Sequence, residues 1–215
     1  MELPIIYKLK RKVQKDLAEL QDEVMEVVYE VFENAVMHGG TAIWRCYSGK
    51  RFSEDIDLYV KYTGDFKEQL EKSLKKRSLN LIKFRQTANT VFSEISNDIA
   101  SMKLEITNER KRGILAIYEK ANGDTLEVLA LEPQDLLLEK LTAYLDRRKV
   151  RDIYDVYFLS RLVTDPKVKR EAGRLLKKIE RPTDEDDLKA IIYEGKVPTF
   201  NEMLESINLW AKSNI

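Results

Sequence analysis

The chain of 215 residues has few of the side chains that build redox and zinc chemistry, with one cysteine and one histidine. The single cysteine, Cys46, excludes an internal disulfide framework and is typical of a reducing compartment. With His38 as the only histidine, neither a zinc cluster nor a Ser–His–Asp triad finds support. The Gly-x4-Gly-Lys-Ser/Thr motif is also missing, which argues against the phosphate-binding loop of common ATPases.

The chain also lacks a net charge, because 37 basic side chains balance 37 acidic ones. Any nucleic-acid contact must therefore come from local patches. Two basic clusters, 147–151 and 167–181, are candidates for guiding an RNA backbone, with solvated helix faces as the alternative. No apolar run approaches the roughly 20 residues of a membrane span, and the N-terminus does not resemble a signal peptide. We expect a cytoplasmic protein without membrane contact.

Hydrophobic periodicity changes character at Glu132-Pro133. Before it, a long helix from about Leu9 to Val36 is expected to precede a short helix, a strand, a third helix and five further strands. After it, every segment has helical spacing, and prolines stand at three expected helix starts. The pattern predicts an α+β domain over residues 1–132 and a helical domain over residues 133–215. The predicted elements are helices at about 41–47 and 66–77, strands at about 57–62, 80–85, 90–95, 102–107, 114–119 and 125–131, and C-terminal helices at about 133–147, 151–162, 166–179, 183–193 and 198–210.

The segment from His38 to Leu58 carries the chemistry. Gly39-Gly40-Thr41 opens a predicted helix, where backbone N–H groups and the Thr41 hydroxyl can bind phosphate oxygens. An alternative is that these glycines end the preceding long helix. Asp55 and Asp57 stand two apart on a predicted strand, project to one face and can share a divalent cation. A phosphate cradle beside metal-binding carboxylates is what nucleotidyl transfer requires.

Two sequence blocks together resemble the AbiEii/AbiGii-type nucleotidyltransferase family, which includes toxins of type IV toxin–antitoxin and phage-defence systems. The first block joins Gly39-Gly40-Thr41 to Arg51-Phe-Ser53-Glu-Asp55-Ile-Asp57-Leu, and the second runs from Lys140 to Asp155. The resemblance implies the polymerase-beta-like nucleotidyltransferase fold, a mixed sheet with flanking helices, followed by a C-terminal helical bundle. It also implies NTP as substrate and Mg²⁺ as cofactor, with Mn²⁺ as an alternative.

Further site residues follow from this resemblance. Glu105, in an apolar-flanked strand, corresponds to the third metal-binding carboxylate, unless it is an ordinary exposed strand residue. Lys140, among leucines, is expected to contact nucleotide phosphates, with a snorkelling lysine as the alternative. Asp155 is expected to be catalytic, although an intrahelical ion pair with Arg151 also explains it. Arg51 and Ser53 are candidate nucleotide contacts, with a solvated arginine and a turn-forming serine as the alternatives.

The expected activity is transfer of a nucleotide from an NTP to an acceptor, for which tRNA 3′ ends lead, because some relatives modify them. The resemblance also implies a toxin paired with a winged-helix antitoxin encoded nearby. Two alternatives stay open: transfer to a small-molecule or protein hydroxyl, and a catalytically silent NTP-binding module.

Overall fold

The structure is a computed structural model that describes residues 3–213. The chain forms two compact units. Unit 1 comprises the described residues up to Ser48 together with Phe52–Leu131. Unit 2 comprises the short segment Gly49–Arg51 and the described residues from Glu132 onward.

Unit 1 is built on a seven-stranded mixed sheet, which confirms the predicted α+β class. The strand order is β3-β4-β5-β2-β1-β7-β6. The strands are β1 (Val36–His38), β2 (Ile56–Tyr59), β3 (Asn80–Gln86), β4 (Thr90–Ser96), β5 (Ser101–Thr107), β6 (Ile114–Glu119) and β7 (Thr125–Ala130). The helices are α1 (Ile5–Lys8), α2 (Lys12–Val31), α3 (Gly39–Cys46) and α4 (Lys67–Lys76).

The long helix α2 buries the apolar face that its spacing predicts, including Leu20, Val24 and Val28. It ends at Val31, five residues earlier than expected. Residues 32–35 form a turn instead, and Val36 begins strand β1, which hydrogen-bonds to β2 on one side and β7 on the other. Two strand partners outweigh the local helical pattern, which is a weak preference. The glycines that follow therefore open α3 and do not end α2.

The centre of the sheet positions the motif residues. β2 runs antiparallel to β1 and parallel to β5. Its odd-numbered side chains are half-buried, whereas Ile56 and Leu58 are fully buried. This alternation is that of a strand with one face in the core. Asp57 therefore points to the opposite, accessible face.

Unit 2 is helical, as its periodicity predicts. It contains α5 (Pro133–Arg147), α6 (Val150–Leu159), α7 (Pro166–Leu176), a 3-10 turn (Glu185–Asp187), α8 (Leu188–Ile191) and α9 (Phe200–Lys212). Pro133 and Pro166 stand in the first turn of their helices, whereas α9 begins after Pro198 with a capping box between Thr199 and Glu202. The helix expected at 183–193 is reduced to the 3-10 turn and the single turn of α8. Within residues 3–213, no helix combines the length and apolar character needed to cross a membrane.

Candidate active site

Three carboxylates of unit 1 lie on adjacent strands. Asp55 comes directly before β2, Asp57 is its second residue, and Glu105 is the direct partner of Asp57 on the parallel strand β5. Burial raises the pKa of the Glu105 carboxyl, the negative charges of Asp57 and Asp55 raise it further, and His38 opposes them. The three acids therefore share one electrostatic environment. With the side chains in their present positions, no group of three or more His, Cys, Asp or Glu residues within 3–213 is arranged to hold a metal ion.

Gly39 packs directly against this acidic site. A Cβ at position 39 would lie 2.1 Å from Oδ2 of Asp57, and the backbone has φ of +71°. Both the close approach and the left-handed backbone require glycine. Gly39 and Gly40 form the buried first turn of α3, whose N–H groups have no partner within the helix. The structure thus places the predicted phosphate cradle beside the predicted metal ligands.

Thr41 has a structural contact that the sequence did not indicate. Its side chain is fully buried, and its hydroxyl donates to the backbone carbonyl of Asp55 at 2.5 Å. This hydrogen bond ties α3 to the residue that begins the acidic pair. The predicted contact between the Thr41 hydroxyl and a phosphate would require that bond to break.

Two neighbours of the acids were missed by sequence reasoning. Gln21 of α2 is fully buried and donates from Nε2 to the carbonyls of Ser53 (2.9 Å) and Glu54 (3.1 Å), which fixes the loop before Asp55. The available signal was a glutamine on the apolar face of α2. His38 pairs with Asp57 across β1 and β2 and stacks on the Tyr59 ring at 3.9 Å. Ser53 itself is half-buried.

Unit 2 holds a second, buried charge cluster. Arg51 donates two hydrogen bonds of 2.6 Å to the Asp155 carboxylate, and the Nζ of Lys140 lies 3.1 Å from the same carboxylate. Asp152 is also fully buried, 3.7 Å from Lys140, and it accepts two hydrogen bonds from Arg147. Three cations thus surround two buried acids in this cluster.

The contacts in this cluster exclude a solvated Arg51 and an ion pair between Asp155 and Arg151. Arg51 is 4% exposed, so it is not a solvated loop residue. Asp155 pairs with Arg51 and Lys140, not with its helix neighbour Arg151, which is exposed. Burial raises the pKa of Asp155, but the charges of Arg51 and Lys140 outweigh it and hold that pKa below its ordinary value. Burial lowers the pKa of Arg51, but the charge and hydrogen bonds of Asp155 raise that pKa, and its net shift is upward.

The predicted basic clusters separate into paired and unpaired residues. Arg148, Lys149 and Arg181 pair with acids, and Lys169 is buried against Ser213. Four basic side chains, three in α7 and one at its C-cap, are exposed and make no ion pair within residues 3–213. They stand at spacings of three and four, which places them on one helix face: Lys167, Arg170, Arg174 and Lys177. We refer to these four residues as the α7 basic face.

A mixed sheet that carries paired carboxylates beside a glycine-opened helix defines a nucleotidyltransferase fold. Comparison with solved structures supports this class. The JHP933 protein of Helicobacter pylori aligns over 95% of this chain and 92% of its own, with a TM-score of 0.68 and 18% identity. MenT4, the nucleotidyltransferase toxin Rv2826c of Mycobacterium tuberculosis H37Rv, aligns over 95% and 86%, with a TM-score of 0.64 and 15% identity. At such identities the likeness concerns the fold.

The family follows from the sequence. The profile described as "Nucleotidyl transferase AbiEii toxin, Type IV TA system" matches residues 26–206. The chain therefore belongs to the AbiEii nucleotidyltransferase toxin family and is a nucleotidyltransferase, as the resemblance predicted. No curated protein sequence gives a significant match.

Proposed function

We propose that this enzyme uses Mg²⁺ to transfer a nucleotide from an NTP to the 3′ hydroxyl of an RNA, with tRNA as the leading acceptor, and acts as the toxin of a toxin–antitoxin pair. The observation that carries the proposal is the in-register pair Asp57–Glu105, with Asp55 beside it and Gly39 packed against Asp57.

The donor set fits a hard divalent cation. Mg²⁺ prefers oxygen ligands, and Asp55, Asp57 and Glu105 would hold it through carboxylate oxygens. Burial and the negative charges of Asp57 and Asp55 raise the Glu105 pKa, and a bound cation would oppose both effects. When bound, Mg²⁺ would offset the negative charge that develops on the transferring phosphoryl group; Mn²⁺ would serve equally.

The chain's own groups account for the remaining chemistry. Glu105 would take the proton of the acceptor hydroxyl. The acceptor oxygen bonds to the α-phosphorus, the bond to the β-phosphate oxygen breaks, and pyrophosphate leaves. The first-turn N–H groups at Gly39 and Gly40 would bind phosphate oxygens. In unit 2, Lys140 would contact a nucleotide phosphate through its ammonium group, which Asp155 holds in place.

The α7 basic face supports RNA as the acceptor. Four exposed cations on one helix face can follow a phosphate backbone, although the chain as a whole is neutral. We further propose a cytoplasmic location, a winged-helix antitoxin encoded nearby, and a role in phage defence, all in keeping with the family's type IV systems.

One experiment tests the chemistry. The protein is incubated with total RNA, Mg²⁺ and each α-³²P-labelled NTP, beside Asp57→Asn and the exposed-loop control Asp98→Asn. We expect label in tRNA-sized RNA with the parent and the control, and none with Asp57→Asn or after EDTA. Label entering protein or small molecules, or label unaffected by Asp57→Asn, would overturn the proposal.

A second experiment tests the RNA contact and toxicity. Replacing all four residues of the α7 basic face by Gln should weaken tRNA binding and flatten its dependence on salt, because fewer counterions are released. Induced expression should arrest bacterial growth with the parent chain and not with Asp57→Asn. An unchanged salt dependence would remove α7 from the RNA site, and harmless expression of the active enzyme would remove the toxin role.

A further inference from the structure

The accessible sheet face continues beyond the carboxylates as a groove of about 510 Å³ within unit 1. Acids line one end, and aromatic and basic side chains line the other. The lining residues used below are Asp57, Glu105, Phe92, Arg85, Lys83 and Lys103. The nucleotidyl-transfer chemistry proposed above uses only the acidic end.

Strand register arranges these side chains in a row that crosses four strands. Asp57 on β2 pairs with Glu105 on β5, Glu105 pairs with Phe92 on β4, and Phe92 pairs with Arg85 on β3. Directly paired residues point to the same face of a sheet. Neighbouring strands lie about 4.8 Å apart, so Phe92 is roughly 5 Å from the Glu105 position and roughly 10 Å from that of Asp57.

A parallel row of charges lies beside it. Lys103 on β5 pairs with Glu94 on β4, and Glu94 pairs with Lys83 on β3, where a 2.6 Å ion pair joins the last two. Lys103 and Arg85 are exposed and form no ion pair within residues 3–213. The Arg85 guanidinium lies 4.9 Å over the Phe92 ring. The groove therefore offers a stacking surface flanked by cations.

The order of the strands indicates which substrate reaches this surface. The glycines that would bind the leaving phosphates lie on the β1 side of Asp57, whereas Glu105 and Phe92 lie on its other side. In phosphoryl transfer, the attacking and leaving oxygens are roughly in line on opposite sides of the phosphorus. The acceptor must then approach from the β5–β4 side.

We propose that the groove from Glu105 to Arg85 binds the single-stranded 3′ end of the RNA acceptor, with its terminal base stacked on Phe92 and its backbone held by Arg85 and Lys103. Aromatic rings and guanidinium planes both stack on unpaired bases, and such contacts tolerate any base. Phe92 is 38% exposed at the surface of a charged groove, which a purely structural role does not require. This inference rests on the function proposed above.

The test separates acceptor binding from NTP chemistry. RNA oligonucleotides that end in 4-thiouridine are photo-crosslinked to the full chain without NTP, and the attached peptide is mapped. We expect the crosslink on the strand that contains Phe92. In transfer assays, Phe92→Ala should raise the KM for RNA roughly 5- to 100-fold with the KM for NTP unchanged. Phe92→Trp should restore binding, and Phe92→Leu should not, because leucine keeps apolar area without a ring.

Ile117→Ala is the matched control, since it removes an exposed apolar side chain (51%) from β6 at the far edge of the same sheet. It should leave both KM values unchanged. A KM for NTP that rises instead would assign Phe92 to the incoming nucleotide and overturn the proposal, as would a crosslink elsewhere or an unchanged KM for RNA. If the parent chain labels no RNA at all, the proposed function fails, whereas the crosslink still reports on the groove.

Discussion

Replacing Gly39 by alanine should disable the acidic site while leaving the fold intact. The new Cβ would lie 2.1 Å from Oδ2 of Asp57, where ordinary van der Waals contact needs at least 3.4 Å. Either the Asp57 carboxylate or the start of α3 must therefore move by about 1 Å, and a displacement of that size costs on the order of 100-fold in rate. The left-handed backbone adds about 1–2 kcal/mol of strain.

Gly64→Ala separates these two effects. Gly64 has a similar φ of +78°, but a Cβ there meets nothing within 4 Å. Both variants should lose roughly 2–8 °C in Tm, since about 1 kcal/mol corresponds to 2–4 °C in a chain of this size. Only Gly39→Ala should lose about 100-fold in kcat/KM for NTP-dependent labelling of RNA.

The assay is the transfer of α-³²P label, with thermal unfolding measured on the same samples. Equal activity of the two variants would refute the reasoning, because it would show that Asp57 needs no fixed position beside Gly39. If Gly39→Ala does not fold and Gly64→Ala does, the close contact between Gly39 and Asp57 is required for folding itself.

Three further predictions concern buried groups. Thr41→Val should lower the free energy of unfolding by about 1–3 kcal/mol and lower kcat, since the Asp55 carbonyl loses its donor. Thr41→Ser should retain both stability and kcat, which urea unfolding and label transfer measure. Asp155→Asn should cost about 3–5 kcal/mol at pH 7 by leaving Arg51 underpaired. Because the folded-state pKa of Asp155 lies below its unfolded value, its stabilisation is complete above about pH 4 and is lost in more acidic solution, so the variant's unfolding free energy should fall less steeply there. Cys46 is half-buried, and desolvation raises its pKa to about 12, so iodoacetamide at pH 8 should react much more slowly with native than with unfolded protein; equal rates would contradict this.

Much of the fold was predictable because periodicity reports burial directly. The strands from Asn80 to Ala130 and the helices after Glu132 follow the alternation or spacing of their apolar residues. Strand β1 was not predictable, because three residues carry no usable period, and its partners are 19 or more residues away in sequence. The continuous helix expected at 183–193 was also wrong. Its acidic start, Glu185–Asp187, forms a 3-10 turn instead.

The site was predictable where chemistry depends on short spacing. Asp55, Asp57 and the glycines stand within 20 residues, and the family resemblance supplied Glu105 and the second block. The support beneath the site was not predictable. Gln21 reaches the loop before Asp55 from a helix more than 30 residues away, and its place on the apolar face of that helix does not reveal which loop it contacts.

The sequence by itself determined the residue types, their local elements and, through two motif blocks, the family. Tertiary structure alone decided which of them meet: Glu105 opposite Asp57, Phe92 opposite Glu105, and Arg51 within unit 2, where it is buried against Asp155. The physical reason is that strand register and buried ion pairs join residues 13 to 104 positions apart. Local spacing predicts the face of a strand, but only pairing between strands determines the neighbour on that face.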